Sequence, residues 1–429
     1  WFRGLRHAIK ALRETLYVRP ACGDRPHGTG FMTAALPCLL TINGGSSSIR
    51  FAVYEFGDTP RKRLRGKIDR IGFSGTTLSV NEAAPSRLGV GVGVEHRTAA
   101  GLLLDWLEAQ PVFAAIRAVG HRVVHGLQHS EPARVTPKLL ADLHRITPYA
   151  RDHLRRERGL IEAISRRHPK LPQVACFDTA FHRAMPPVAK LLPIPRRYAA
   201  QGVERYGFHG LSYAYLMEEL GRLDPLAAKG RVILAHLGNG ASLAAVHHGK
   251  SIDTSMGFTP SAGLVMSTRT GDLDPGLVYY LARTERMTAA GFQRLVSQES
   301  GLLGVSGTSS DLRDLLAQEA DDVRAAAAVA LFCYQAKKWI GSFAAALGGL
   351  DTLVFAGGIG ENAPLIRKRI CDGLGFLGID LDRKRNDKNA PLISSAAGRV
   401  TVRVIRTNEE LMIARSVIRV LGLHSLRRG

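Results

Sequence analysis

Two segments of this chain share one pattern: a strand-like run breaks at a small polar glycine turn and resumes as a second strand. The first is Leu39-Leu40-Thr41-Ile42-Asn43-Gly44-Gly45-Ser46-Ser47-Ser48-Ile49-Arg50-Phe51-Ala52-Val53, and the second is Val232-Ile233-Leu234-Ala235-His236-Leu237-Gly238-Asn239-Gly240-Ala241-Ser242-Leu243-Ala244-Ala245-Val246. Such hairpin tips offer unblocked backbone N–H groups and hydroxyls. One per half is what two lobes need to hold a polyphosphate between them.

The 429 residues, 45% apolar and 22% charged, suffice for a large buried core and for two or three domains. The formal charge of +21 raises the question of a nucleic-acid partner, but the arginines are scattered over most segments and only 7% of residues are aromatic, so none is expected. An anionic small substrate accounts for part of the excess, and arginine-rich codon usage for the rest. Cys22, Cys38, Cys176, Cys333 and Cys371 are odd in number and widely spaced, with no CxxC pair and no metal-ligand spacing, which fits a reduced cytoplasm.

No membrane span is expected. The longest weakly charged stretch, 340–360, contains Asp351 and a run of glycines, and reads as a helix end, a turn and a buried strand. Residues 1–31 form a basic segment with apolar residues at Leu5, Ile9, Leu12 and Leu16, in the manner of an amphipathic or transit-like leader. The reading favoured here is an extension outside the fold, with Met32 as the natural start.

After the first hairpin come turn-rich residues through Ser86, a helical stretch at 99–108 and a buried strand, Ala118-Val119-Gly120-His121-Arg122-Val123-Val124-His125-Gly126. Basic helical sequence follows to about Arg167, then a strand ending in Cys176-Phe177-Asp178-Thr179-Ala180-Phe181-His182. The second half repeats the plan. Hairpin 232–246 leads to a strand and loop at 252–274, a helical region at 275–338, and a strand, turn and helix at 353–364. Strands mixed with helices in two similar halves imply an α/β fold of two lobes with a cleft between them. Lobe I is expected at 32–180, completed by a C-terminal helix at 408–424, and the nucleotide-binding lobe II at 181–407.

Two local motifs are decoys. Gly249-Lys250-Ser251 resembles the end of a P-loop, but Ala244 stands where that pattern needs glycine, and the segment lies in a hairpin turn rather than between strand and helix. Gly358-Ile359-Gly360-Glu361-Asn362-Ala363 satisfies a dinucleotide fingerprint, with Asp380 at the ribose-binding distance. That fingerprint normally opens its domain, so here it reads as a glycine turn where a nucleotide approaches a helix.

More specific are charged residues in apolar or glycine-rich surroundings: Arg122 beside two valines, Asp178 after a buried strand, His209 in Tyr206-Gly207-Phe208-His209-Gly210, and Arg269 in Met266-Ser267-Thr268-Arg269-Thr270-Gly271-Asp272. Buried charge is unfavourable unless paired or used. One such site reads equally well as a structural ion pair; four together point to an anion-binding cleft. Asn408-Glu409-Glu410, ahead of the apolar helix 411–421, adds acids near the end of the chain.

Asn43-Gly44-Gly45-Ser46-Ser47-Ser48, Gly120-His121-Arg122-Val123-Val124-His125-Gly126, Phe177-Asp178-Thr179-Ala180-Phe181-His182, Asp253-Thr254-Ser255-Met256-Gly257-Phe258-Thr259-Pro260, Gly357-Gly358-Ile359-Gly360-Glu361-Asn362 and Thr407-Asn408-Glu409-Glu410 resemble the acetate kinase family in order and spacing. The resemblance runs from Met32 to about Leu423. It implies two duplicated actin-like ATPase lobes, each with a ribonuclease H-like motif, and reversible phosphoryl transfer from ATP to acetate, giving acetyl phosphate and ADP. A homodimer and a bound magnesium or manganese ion are implied as well.

By the same resemblance Arg122 binds the substrate carboxylate, while His209 and Arg269 bracket the transferred phosphoryl. Asp178 is the catalytic acid, read here as orienting metal and substrate, and Asn43 and Glu409 occupy the metal positions. Arg50, His236, Leu237, Gly238, Asn239 and Gly240 are expected around the phosphates. Asp311, Leu312 and Arg313, with Gly358, Ile359, Gly360, Glu361 and Asn362, border the nucleoside, and Val124, Phe208 and Pro260 face the acyl methyl.

Two departures bear on substrate. Arg50 replaces the family's usual lysine, and Arg151-Asp152-His153-Leu154-Arg155 stands where a Leu-His-Asn-Pro segment is common, with His153 as the matching histidine. The segment is expected near the acyl pocket, so propionate or butyrate stays open beside acetate. A non-catalytic nucleotide-binding module is the alternative of another class, and it has no need of the full charged set.

Overall fold

The computed structural model describes residues 36–45, 48–57, 59–72, 75–81, 83, 86–87, 96–127, 129–147 and 151–423. The extension 1–31, Met32, Cys22, Ser46 and Ser47 lie outside them, and of His153 only the backbone is described. The chain forms two compact units. One holds the chain through Phe177 and again from Glu410; the other is Asp178–Glu409.

In the first unit an eight-stranded sheet runs β5-β4-β3-β2-β1-β6-β8-β7. Its strands are β1 (Cys38–Gly44), β2 (Ile49–Glu55), β3 (Arg61–Asp69), β4 (Thr77–Val80), β5 (Ser86–Arg87), β6 (Ile116–Val123), β7 (Ala133–Arg134) and β8 (Gln173–Phe177). The hairpin read from sequence is β1–β2, antiparallel, with Asn43 opposite Arg50. β6 lies parallel to β1 on its other side, and β8 parallel to β6. A parallel pair needs a crossover, and helix α2 (Arg151–Arg167) lies in the one between β6 and β8, while α1 (His96–Glu108) precedes β6.

The stretch read as turn-rich through Ser86 contains β3 and β4 instead. In β3 only Leu64 and Ile68 are buried among Arg61, Lys62, Arg63, Arg65 and Lys67. So few inward positions leave no alternation to read.

The second unit repeats the arrangement in a five-stranded sheet, β11-β10-β9-β12-β13, of β9 (Arg231–Leu237), β10 (Ala241–His247), β11 (Lys250–Thr254), β12 (Thr352–Ala356) and β13 (Thr401–Val404). Again a hairpin, β9–β10, has two parallel strands added at its first strand. Gly249-Lys250-Ser251 runs from the β10–β11 turn into the start of β11, a hairpin setting as expected. Segment 340–360 is the end of α5 (Val323–Ala346), a turn, β12 and the start of a helix.

Both sheets bury apolar faces under helices. In the second unit Tyr213, Leu216 and Leu220 of α3 (Gly210–Leu223) pack on Val232, Leu234, Val246 and Val354. In the first, helix α8 (Glu409–Leu421) lies against β6 at Gly120, where a Cβ would stand 2.4 Å from Ile413 and 2.5 Å from Val417. Any side chain there would push that helix away. Cys38, Cys176, Cys333 and Cys371 are buried and free.

Candidate active site

In the second unit the β9–β10 tip gathers most of the expected groups. A Cβ placed on Gly240 would lie 3.2 Å from His209 Nε2 and 3.7 Å from Arg269 Nη1. One on Gly238 would lie 3.8 Å from the Gly358 N and 4.0 Å from His236 Nε2. Two imidazoles, a guanidinium and a backbone amide therefore surround one glycine loop, whose missing side chains leave the peptide groups open to an anion.

His209 caps α3 with φ of 59°, a left-handed conformation uncommon for a residue with a side chain and typical of functional sites. Its Nδ1 bonds Ser242 Oγ at 2.8 Å, and that hydroxyl bonds Tyr213 OH. His236 Nδ1 bonds Ser212 Oγ at 2.8 Å, which in turn bonds Thr407 Oγ1 at 2.7 Å. Each ring is thus anchored through Nδ1, leaving Nε2 toward the loop. Sequence reasoning missed all four hydroxyls. Ser242 was recoverable, because the hairpin register sets it opposite His236; nothing in the sequence marks Thr407 as the distant partner of Ser212.

Arg269 sits in a loop closed by Met266 N–H donating to Arg269 O, and Ser267 N–H donates to Asn239 O, fastening that loop to the hairpin tip. Arg269 Nη1 donates to Pro260 O at 2.9 Å, which fixes one expected acyl-pocket residue beside it. Asp178 is 1% exposed, and its carbonyl accepts from Gly210 N at 2.9 Å, next to His209. Phe208 is buried, and its carbonyl accepts from His182 Nε2 at 3.0 Å. Burial drives the His182 pKa down to about 4, so the ring is neutral and Nδ1 accepts from Ser251 Oγ.

The 358–362 turn is helix α6 (Gly357–Asn362). Gly357 has φ of 77°, and a Cβ on it would stand 2.6 Å from Leu237 O, so only glycine fits. Glu361 Oε1 accepts from Gly357 N and Thr407 N, tying the turn to the segment ahead of Glu409. Leu237 and Leu312 are core residues. Asp311 caps α4 (Leu312–Gln318), and the Arg313 fork closes on its carboxylate, holding it below the usual carboxylate range.

In the first unit Asn43 is buried and Arg50, its cross-strand partner, is exposed. Arg122, on β6, donates from Nη1 to Gly44 O at 3.2 Å, and Val124 is buried two residues on. Glu409, the last residue of the second unit, opens α8 and is half-buried. Among the described residues no three His, Cys, Asp or Glu side chains form a metal cage. Magnesium is commonly held by one or two carboxylates plus substrate phosphates and water, so the side-chain oxygens at the two expected metal positions, Asn43 and Glu409, suit it in kind.

The sequence profile of the acetokinase family matches residues 38–415. The chain belongs to the acetokinase family. It is 45% identical over 394 residues to an acetate kinase of Rhodopseudomonas palustris, covering 89% of this chain and 98% of that one. The solved acetate kinase of Porphyromonas gingivalis superposes with a TM-score of 0.80 at 36% identity, covering 90% of this chain and all of that one. A propionate kinase from Francisella tularensis gives 0.84 at 34% identity, with the same coverage. The family fixes the reaction class, a kinase with a carboxyl group as acceptor. The two sheets match acetate kinase structures of the actin-like ATPase fold, as the resemblance implied. Among the described residues no helix is long and apolar enough to cross a membrane.

Proposed function

We propose that the chain carries out magnesium-assisted, reversible transfer of the ATP γ-phosphoryl to acetate, as a cytoplasmic homodimer. The observation that carries this reading is the approach of His209 Nε2 and Arg269 Nη1 to Gly240, a donor pair at an open glycine loop. A carboxylate is ionised at neutral pH, so no strong base is needed. The barrier lies in bringing an anion to a polyanion and stabilising charge spread over the transferred group.

Arg122 binds the carboxylate through its planar fork. His209 and Arg269 hold the phosphoryl oxygens, and the amides of Asn239, Gly240 and Gly358 take the rest of the phosphate chain, the Gly238 N–H closing the loop on Gly240 O at 3.0 Å. Asn43 and Glu409 would hold the divalent ion, whose bound charge would offset that of the β- and γ-phosphates, and Asp178 would orient the ion and the substrate. Val124, Phe208 and Pro260 face the acyl methyl. Propionate is the second reading, favoured by the likeness to the Francisella propionate kinase; one methylene is worth only about 1–3 kcal/mol of discrimination.

Steady-state kinetics of two variants test the roles. Arg122→Ala should mainly raise the acetate KM, and Arg269→Ala should mainly lower kcat; equal, small effects from both would sink the assignment.

A further inference from the structure

Helix α2 is strongly basic, and Glu157 stands in it between Arg156 and Arg158. Its side chain is 2% exposed. The helix is clamped to the sheet by Gln173, whose Nε2 donates to Ser165 Oγ at 2.8 Å and whose Oε1 meets His121 Nε2 at 2.7 Å. Farther along, Leu160 and Glu157 pack over the end of β1: a Cβ on Gly44 would stand 3.2 Å from Leu160 Cδ1 and 3.9 Å from Glu157 Cγ.

The Glu157 carboxylate then divides its two oxygens. Oε2 accepts from Val124 N at 2.9 Å, and Oε1 lies 3.9 Å from Arg122 Nη1. That same nitrogen donates to Gly44 O. A buried acid is tolerated when an opposite charge and hydrogen bonds offset its desolvation, and here both come from residues with proposed roles in gripping the acyl substrate.

We infer that Glu157 is a positioning residue for the carboxylate site: it holds the Arg122 guanidinium against the β1 tip and fixes the Val124 backbone beside it. This rests on the reading of Arg122 as the carboxylate-binding arginine. Glu157 touches no reacting atom; it sets where the fork and the methyl contact stand before acetate arrives, the kind of support that keeps a binding group in one rotamer.

The test is a double-mutant cycle on the full chain with Mg-ATP and acetate. Glu157→Gln keeps an acceptor for Val124 N and removes the charge facing Arg122. It should raise the acetate KM about tenfold while leaving the ATP KM within about twofold, and should add nothing further in an Arg122→Ala background. Glu157→Asp, which keeps the charge but withdraws it, should give a smaller rise and carries the test if the glutamine variant does not fold. An unmoved acetate KM in Arg122→Ala alone overturns the reading of Arg122 and this role with it. A raised KM there, with none in either Glu157 variant, overturns the role of Glu157 only. Equal rises in acetate and ATP KM with a lowered Tm, repeated in the Arg122→Ala background, also overturn it, by making Glu157 merely structural.

Discussion

The imidazole rings of His209 and His236 lie stacked, with centroids 4.3 Å apart and planes 29° from parallel. Each ring is braced by its neighbour on one face and by a serine hydroxyl at Nδ1. Loss of the Ser242 hydroxyl frees His209 to turn and also strands Tyr213 OH, which bonds the same oxygen. Ser242→Ala should therefore lower kcat about tenfold with little change in the ATP KM, and His209→Ala should lower it about a hundredfold, the order expected for one lost transition-state donor. Steady-state kinetics with ATP varied at saturating acetate measure both.

Arg367, on α7 (Pro364–Cys371), is fully buried and bonds only neutral oxygens among its described contacts: Gly360 O, Asn386 Oδ1 and O, and Asn389 Oδ1. Burial lowers its pKa to about 10, so it stays charged at neutral pH. Arg367→Ala leaves several buried acceptors unsatisfied and should destabilise the protein by about 3–5 kcal/mol. Because Gly360 belongs to α6, the ATP KM should rise as well. Urea unfolding and ATP-varied kinetics read the two effects.

Three buried histidines set an acid limit on stability. Desolvation holds His121, His125 and His182 at about 4, from an ordinary 6.5. They are neutral in the fold, while the unfolded chain takes up protons below pH 6.5, so this stabilisation is complete above 6.5 and is lost as pH falls toward 4. At pH 5 the loss is about 2 kcal/mol per histidine. His182→Gln, whose amide can still donate to Phe208 O, should show a smaller fall in Tm between pH 7 and pH 5 than the parent; an equal fall would contradict the assignment.

What the sequence made legible follows from how each signal is carried. Both hairpins were readable because apolar strands flank short glycine turns, and β8 and β12 because each is a fully buried run; β7 and β13, short and only partly buried, were not read. β3 was hidden, since its nine residues bury only Leu64 and Ile68. Glu157 and Arg367 were hidden for another reason. Each stands among charged neighbours, Arg156 and Arg158 or Lys368 and Arg369, and only tertiary packing turns one charge of such a run inward. His209 and Arg269 were legible because a charged residue in a glycine-rich turn is hard to explain as surface.

The decisive measurement is ADP release by the full chain with Mg-ATP and acetate, propionate or butyrate in turn. Acetate should give the highest kcat/KM, with propionate turned over more slowly. Higher kcat/KM with a longer acid would contradict the acyl assignment, and no turnover with any of the three would contradict the catalytic reading itself.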